Sequence, residues 1–228
     1  MSGNGDLLAL VWSNELAGRV QGLLDKWCRD LDYRDNYSGL HSGLATQFAL
    51  MLARRLQLDG RTTVGLWVAG HVYDFGKIAV PEEVLRKDGV LSDAEQMMMR
   101  RHVTIGYDLL RDWHVLREGP RWLCNLVLDV VRYHHERWDG EGYPEGRRGP
   151  DIPLAARVVA IADAYAAMTM DSPYRRARSS EDALVEIDAN SGRQFDPTLV
   201  PQFEAVVRVA MRDGSLEVLR RMADRSVA

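Results

Sequence analysis

Apolar residues recur at helical spacing along most of this chain, and the stripes they form carry ionisable side chains. Leu44, Ala45, Phe48 and Leu52 follow His41 at i+3, i+4, i+7 and i+11, the spacing that places residues on one face of a helix. His102 shares a face with Ile105 and Leu109, and a stripe of Leu123, Val127, Val130 and Val131 ends on His134. Asp163 interrupts a narrow face of small residues, Ala156, Val159, Ala160, Ala166, Ala167 and Met170. Asp74 closes a face that includes Trp67 and Gly70. No strand alternation of useful length and no internal repeat appears, so the pattern predicts an all-α, single-domain helical bundle with one core.

Element boundaries follow from local signals. Residues 6–31 read as one or two amphipathic helices, and Ser38 as the N-cap of a helix starting near Leu40. A third helix is expected over 61–75, with Gly76 as its stop. Ser92 and Glu95 form a capping-box pattern opening a helix whose Met97, Met98 and Met99 read as core filler. Further helices are expected from Arg121 to His135, from Pro153 to about Met170, over 180–189, and over 197–223 with Asp196 or Thr198 as cap. Residues 1–33 read as an N-terminal helical segment packing on a domain of 34–212, and 213–228 as a C-terminal helix or tail.

Buried polar groups need partners. Taken singly, each of these histidines and aspartates has an ordinary reading as a hydrogen-bonded core residue. Their stripes offer no other polar group, so a shared metal centre satisfies them together. His135, next to His134 at a helix end, joins them. The stretch that follows, His134-His135-Glu136 to Gly140-x-Gly142-Tyr143-Pro144, has glycines that permit a tight turn and close approach to a ligand. Imidazole and carboxylate together suit Fe, Mn or Zn. Six candidate ligands exceed what one tetrahedral ion needs, so a dinuclear centre with a bridging carboxylate is expected, of the kind that hydrolyses phosphoesters with ions ~3.5–4 Å apart.

The full set of motifs resembles the HD-GYP domain, a branch of the HD superfamily of metal-dependent phosphohydrolases. The resemblance runs from about Trp27 to Val207. It rests on Arg34-Asp35-x-Tyr37-x-x-x-His41-Ser42, Asp74-Phe75-Gly76-Lys77-Ile78-x-Val80-Pro81, Arg101-His102-x-x-x-Gly106, the His134-to-Pro144 stretch, Asp163-x-Tyr165, Pro173-Tyr174-Arg175 and Gln194-Phe195-Asp196-Pro197. It implies a buried two- or three-metal site, often iron or manganese, and cyclic di-GMP as substrate, hydrolysed to the linear dinucleotide or GMP. By motif position it implies His41, Asp74, His102, His134, His135 and Asp163 as metal ligands, with Asp74 bridging. It also implies Lys77 and Arg175 as phosphate-binding residues and Tyr143 on the substrate side.

Three positions depart from the family pattern. The His-Asp pair is Tyr73-Asp74, making Tyr73 a possible or lost ligand; His71, about 200° round a helix from it, is a poor substitute. Ala166 stands where the family has Asp, and Ser172 where it has Arg. The departures keep two other readings open: a metal-holding domain without turnover, acting through nucleotide or a signalling partner docked on the Gly142-Tyr143-Pro144 loop, and a hydrolase of a different nucleotide.

Composition narrows the remaining classes. A net charge of -4 gives no global attraction to nucleic-acid polymers or anionic membranes. The apolar runs are too short to span a bilayer. Met1 to Asp6 lacks a basic signal-peptide region, and Cys28 and Cys124 fit no metal or redox spacing and read as buried free thiols. The expectation is a cytoplasmic protein, with a homodimer compatible with it.

Overall fold

The computed structural model describes residues 13–35, 37–171 and 176–219. Among them the secondary structure is helical, in the order α1 (Asn14–Asp35), α2 (Ser38–Arg55), α3 (Gly60–Val72), a 3-10 turn (Phe75–Ala79), α4 (Glu82–Leu85), α5 (Asp93–Arg100), α6 (His102–Arg111), α7 (His114–Glu118), α8 (Arg121–Tyr133), a second 3-10 turn (Gly149–Asp151), α9 (Leu154–Thr169), α10 (Ser180–Ala189) and α11 (Val200–Arg212). Residues 215–219 are helical again.

The centre of the bundle is α2 lying along α9, flanked by α3, α8 and α11. The stripe predicted on α2 is buried: His41, Leu44, Ala45, Phe48 and Leu52 are each 3% exposed or less. Phe48, Tyr165 and Phe203 meet edge-on or tilted at centroid distances of 4.7 to 6.0 Å and lock α2, α9 and α11 together. Ala156, Ala162 and Ala166 on α9 are fully buried, so the small face brings the two central helices close. Ala17, Val20 and Leu24 of α1 belong to the same core.

Several local expectations are corrected. Ser38 is the first residue of α2 rather than its N-cap; the residue outside is Tyr37, and the N–H groups of Gly39 and Leu40 are taken by Asp32 Oδ1 at 2.7 and 3.1 Å, reaching over from α1. The third helix ends at Val72, and Asp59 caps its start through Thr62 N at 2.8 Å. Gly76 is not a helix stop but lies inside the 3-10 turn. A Cβ there would sit 1.9 Å from the His102 carbonyl oxygen, so glycine is what lets this turn pack on α6. On α6 the buried face is His102, Val103, Gly106 and Leu110, and Leu109 is exposed.

The capping box of Ser92 and Glu95 is present. The helix it opens buries no residue completely, and Met97 and Met98 are 66% and 45% exposed rather than core filler. Met99 alone of the three packs inward, on Val80, Val84 and Leu85. Helix α8 stops at Tyr133, leaving His134 as its C-cap and His135 in the following turn. Neither Asp196 nor Thr198 caps α11; Asp196 Oδ1 instead accepts from Thr198 N and Oγ1 one step earlier, and its other oxygen pairs with Arg157. Cys28 and Cys124 are free and half-buried rather than buried. No helix among the described residues is long and apolar enough to cross a membrane.

Candidate metal centre

Asp74 sits between the end of α3 and the 3-10 turn, and two contacts fix that turn. Trp27 stacks on Phe75 at 4.2 Å between ring centroids. Arg34 donates to the carbonyls of Lys77, Ile78 and Val80, tying α1 to the segment that carries Lys77. Asp74 is 2% exposed, and its Oδ2 pairs with Lys77 Nζ at 2.7 Å. Burial pushes its carboxyl upward, but the Lys77 ammonium and the surrounding imidazoles outweigh this and hold it below the usual carboxylate range.

The other carboxylate oxygen meets two histidines. Asp74 Oδ1 lies 3.3 Å from His102 Nε2 and 3.9 Å from His134 Nε2. Both imidazoles use Nδ1 on backbone carbonyls: His102 on Met99 O at 2.7 Å, and His134 on Val130 O at 3.0 Å. Such a bond requires Nδ1 to carry the proton, which leaves Nε2 with a lone pair. Burial keeps both rings neutral, pushing His102 down to about 4 and His134 below its ordinary value. Two imidazole lone pairs therefore face a carboxylate oxygen, and none of the three atoms has a hydrogen-bond partner. Three acceptors converging in a buried space are satisfied by a cation.

His135 completes this group. Its ring lies 4.1 Å from that of His134 and 5.1 Å from that of His102, and burial drives its basicity well down. It is covered by Tyr143, stacked on it at 4.9 Å, while the guanidinium of Arg100 lies 5.2 Å above the Tyr143 ring. The loop that presents Tyr143 is held by Glu136. This buried carboxylate accepts from the backbone N–H groups of Glu145, Gly146 and Arg147 at 2.7, 3.1 and 3.0 Å. Gly142 passes so close to the preceding chain that a Cβ would lie 2.3 Å from Arg137 N.

The opposite side of Asp74 is built from α2, α3 and α9. Asp163 Oδ1 lies 2.7 Å from His41 Nε2 and also accepts the Tyr73 hydroxyl at 2.7 Å. His41 Nδ1 faces the Tyr37 hydroxyl at 3.3 Å, with the two rings stacked. Tyr73 is fully buried; burial and the charges of Asp163 and Asp74 push its hydroxyl well above the ordinary value, so it stays a neutral donor. His71 turns away, its Nδ1 on Trp67 O at 2.7 Å and its ring against Trp67. Ala166, where the family has Asp, is fully buried in the core. Arg175 and Ser172 lie outside the described residues.

All six expected ligands thus meet around Asp74. They form two groups that share it, Asp74-His102-His134-His135 and His41-Asp74-Asp163, each with candidate ligand atoms within 4.8 Å of one another. Neutral imidazoles with ionised carboxylates suit a first-row transition metal. The structural roles of Arg34 and Glu136 were not legible beforehand. Both appeared in the motifs, but their partners are backbone groups that only the folded chain supplies, in the case of Arg34 those of a segment 43 or more residues away.

The family model described as the HD domain matches residues 10–199. The chain belongs to the HD domain family. Its motifs resemble those of the HD-GYP branch. This HD domain is 37% identical over 191 residues to the cyclic di-GMP phosphodiesterase response regulator RpfG of Xanthomonas campestris pv. campestris, covering 84% of this chain and 49% of the relative. It is 36% identical over 170 residues to 3'3'-cGAMP-specific phosphodiesterase 2 of Vibrio cholerae, covering 75% of this chain and 31% of the relative. In fold it resembles the crystal structure of the V. cholerae cyclic GMP-AMP specific phosphodiesterase V-cGAP3, with a TM-score of 0.64 and 21% identity over 90% of this chain and 52% of that one. The chain spans less than half the length of either curated relative.

Proposed function

We propose that this HD domain is a metal-dependent phosphodiesterase of cyclic dinucleotides, with cyclic di-GMP as substrate and linear pGpG or GMP as product. The observation that carries this reading is the convergence of Asp74 Oδ1, His102 Nε2 and His134 Nε2, unpartnered in a buried site, in a chain whose curated relatives are named for hydrolysing such molecules. Asp74, His102, His134 and His135 are the residues that would hold iron or manganese, and His41 and Asp163 are the candidates for a second position that shares Asp74. Bound ions would supply Lewis acidity to the phosphodiester and to an attacking water.

The remaining residues bind and orient. Lys77 places an ammonium, 17% exposed, at the rim beside Asp74, where it would neutralise charge on the phosphate. Tyr143 and Arg100 form a stacked pair over His135, suited to a nucleobase face or a second phosphate. Arg175 is assigned the same phosphate-binding role from its motif position. The substrate's two-fold anionic character fits this arrangement of cations around a metal-ligating interior.

A second reading keeps the metal without turnover, the domain acting by binding nucleotide or a partner protein. It is favoured by Tyr73, which stands where the family has a histidine and donates to Asp163. Incubating anaerobically purified protein with Mn²⁺ or Fe²⁺ and cyclic di-GMP decides between the two. Linear dinucleotide or GMP, absent with Asp74→Ala, supports the hydrolase. Bound metal and bound nucleotide without product would replace it with the second reading, and product from 3'3'-cGAMP alone would redirect the substrate.

A further inference from the structure

We propose that the two ion positions of this chain are unequal: the Asp74-His102-His134-His135 position takes the metal, and Tyr73 holds the His41-Asp74-Asp163 position closed. The inference rests on the metal-centre reading above and concerns how that centre fills.

The two sides of Asp74 differ in one physical respect. On the histidine-rich side, Asp74 Oδ1, His102 Nε2 and His134 Nε2 point at one another without a proton between them. That side is incomplete without a cation. On the other side the hydrogen bonds close on themselves. Asp163 Oδ1 receives both the Tyr73 hydroxyl and His41 Nε2 at 2.7 Å. For His41 Nε2 to donate it must carry the proton, which leaves Nδ1 as the acceptor facing the Tyr37 hydroxyl at 3.3 Å. Of the atoms that would serve as ligands there, His41 Nε2 carries a proton and Asp163 Oδ1 already accepts two hydrogen bonds.

A cation at that position would have to displace the Tyr73 hydroxyl from Asp163 and strip His41 Nε2 of its proton. Tyr73 has little room to yield. It is 0% exposed, and its ring stands edge-on to His134 at 4.8 Å. The same residue thus closes one position with its hydroxyl and packs with its ring against a ligand of the other. A histidine at position 73 would reverse this, replacing a donor with a lone pair and adding a ligand where this chain has a cap.

The test counts metal rather than turnover. After anaerobic loading with Fe²⁺ or Mn²⁺ and desalting, elemental analysis of the wild-type chain is expected to give one ion per chain, and titration calorimetry one tight event. Tyr73→His is expected to give two, and Tyr73→Phe, which removes the cap without adding a ligand, to strengthen the second event by about tenfold at most. Air-oxidised, iron-loaded wild type is expected to lack a visible phenolate-to-iron absorption. Two equally tight ions in the wild type would overturn the proposal, as would a phenolate band, which would make Tyr73 a ligand. The wild-type count and spectrum decide the matter even where a variant fails to fold. Failure of the underlying metal-centre reading looks different: no tight ion at all, or one that His102→Ala and His134→Ala leave in place.

Discussion

His102 Nε2 and Asp74 Oδ1 lie 3.3 Å apart, acceptor facing acceptor, in a site from which both side chains are all but excluded from water. The backbone carbonyl of Met99 fixes this arrangement by claiming the ring's only proton. The contact opposes folding until a cation or a proton lies between the two atoms.

Metal binding is therefore expected to stabilise the fold directly. Adding Mn²⁺ or Fe²⁺ at about one hundred times its dissociation constant raises unfolding free energy by about 2.7 kcal/mol for a single site. Thermal unfolding with and without metal measures this. His102→Ala and His134→Ala are expected to abolish the increment, and a metal response retained in both would show that the ion binds elsewhere.

Glu136 is expected to matter for loop order rather than for metal. Three backbone N–H groups depend on its carboxylate, and a buried donor left unpaired costs about 1–3 kcal/mol. Glu136→Ala should lower the urea midpoint and expose residues 143–147 to hydrogen exchange while metal content stays at the wild-type level. Loss of metal with an unchanged loop would assign Glu136 to the centre itself.

Arg100 lies over Tyr143 on an exposed helix end. Arg100→Ala is expected to change stability by no more than about 0.5 kcal/mol, yet to raise KM for a cyclic dinucleotide more than it lowers kcat. Equal loss in kcat and kcat/KM would instead indicate a contact made only in the transition state.

His71 gives a pH dependence outside the metal centre. Burial holds its imidazole below the ordinary value, while its Nδ1 proton is committed to Trp67 O. As pH falls below about 6.5 the unfolded chain takes up a proton that the folded chain refuses. Stability from this residue is thus complete above that pH and declines below it, down to the folded value. His71→Gln should flatten the acid limb of a stability–pH curve, and an unchanged limb would locate the titration in other groups.

The helical stripes were legible because helical period is a local property, and burial confirmed them on α2 and α8, whereas on α9 Ala160, Ala167 and Met170 of the expected face are only partly buried. Errors occurred where a local signal had a distant competitor. Ser38 looks like a cap, but Asp32 from the preceding helix reaches the free N–H groups first. Gly76 looks like a stop, but its lack of a side chain serves contact with His102 O. Met97 and Met98 look like filler, but among the described residues nothing packs over α5 to bury them.

The sequence alone determined the helical class and singled out His41, Asp74, His102, His134 and Asp163, since an ionisable residue on an apolar stripe is visible without coordinates, and His135 by its place beside His134. It also marked Tyr73 as a departure. Tertiary structure alone decided what that departure does. Whether a phenol at position 73 ligates, packs or donates depends on which atoms of α2 and α9 lie within reach. Those helices supply Asp163 Oδ1 at 2.7 Å, already facing His41. Hydrogen-bond direction is a property of three-dimensional neighbours, and here it separates a side whose three converging acceptors call for a cation from a side whose groups hydrogen-bond to one another.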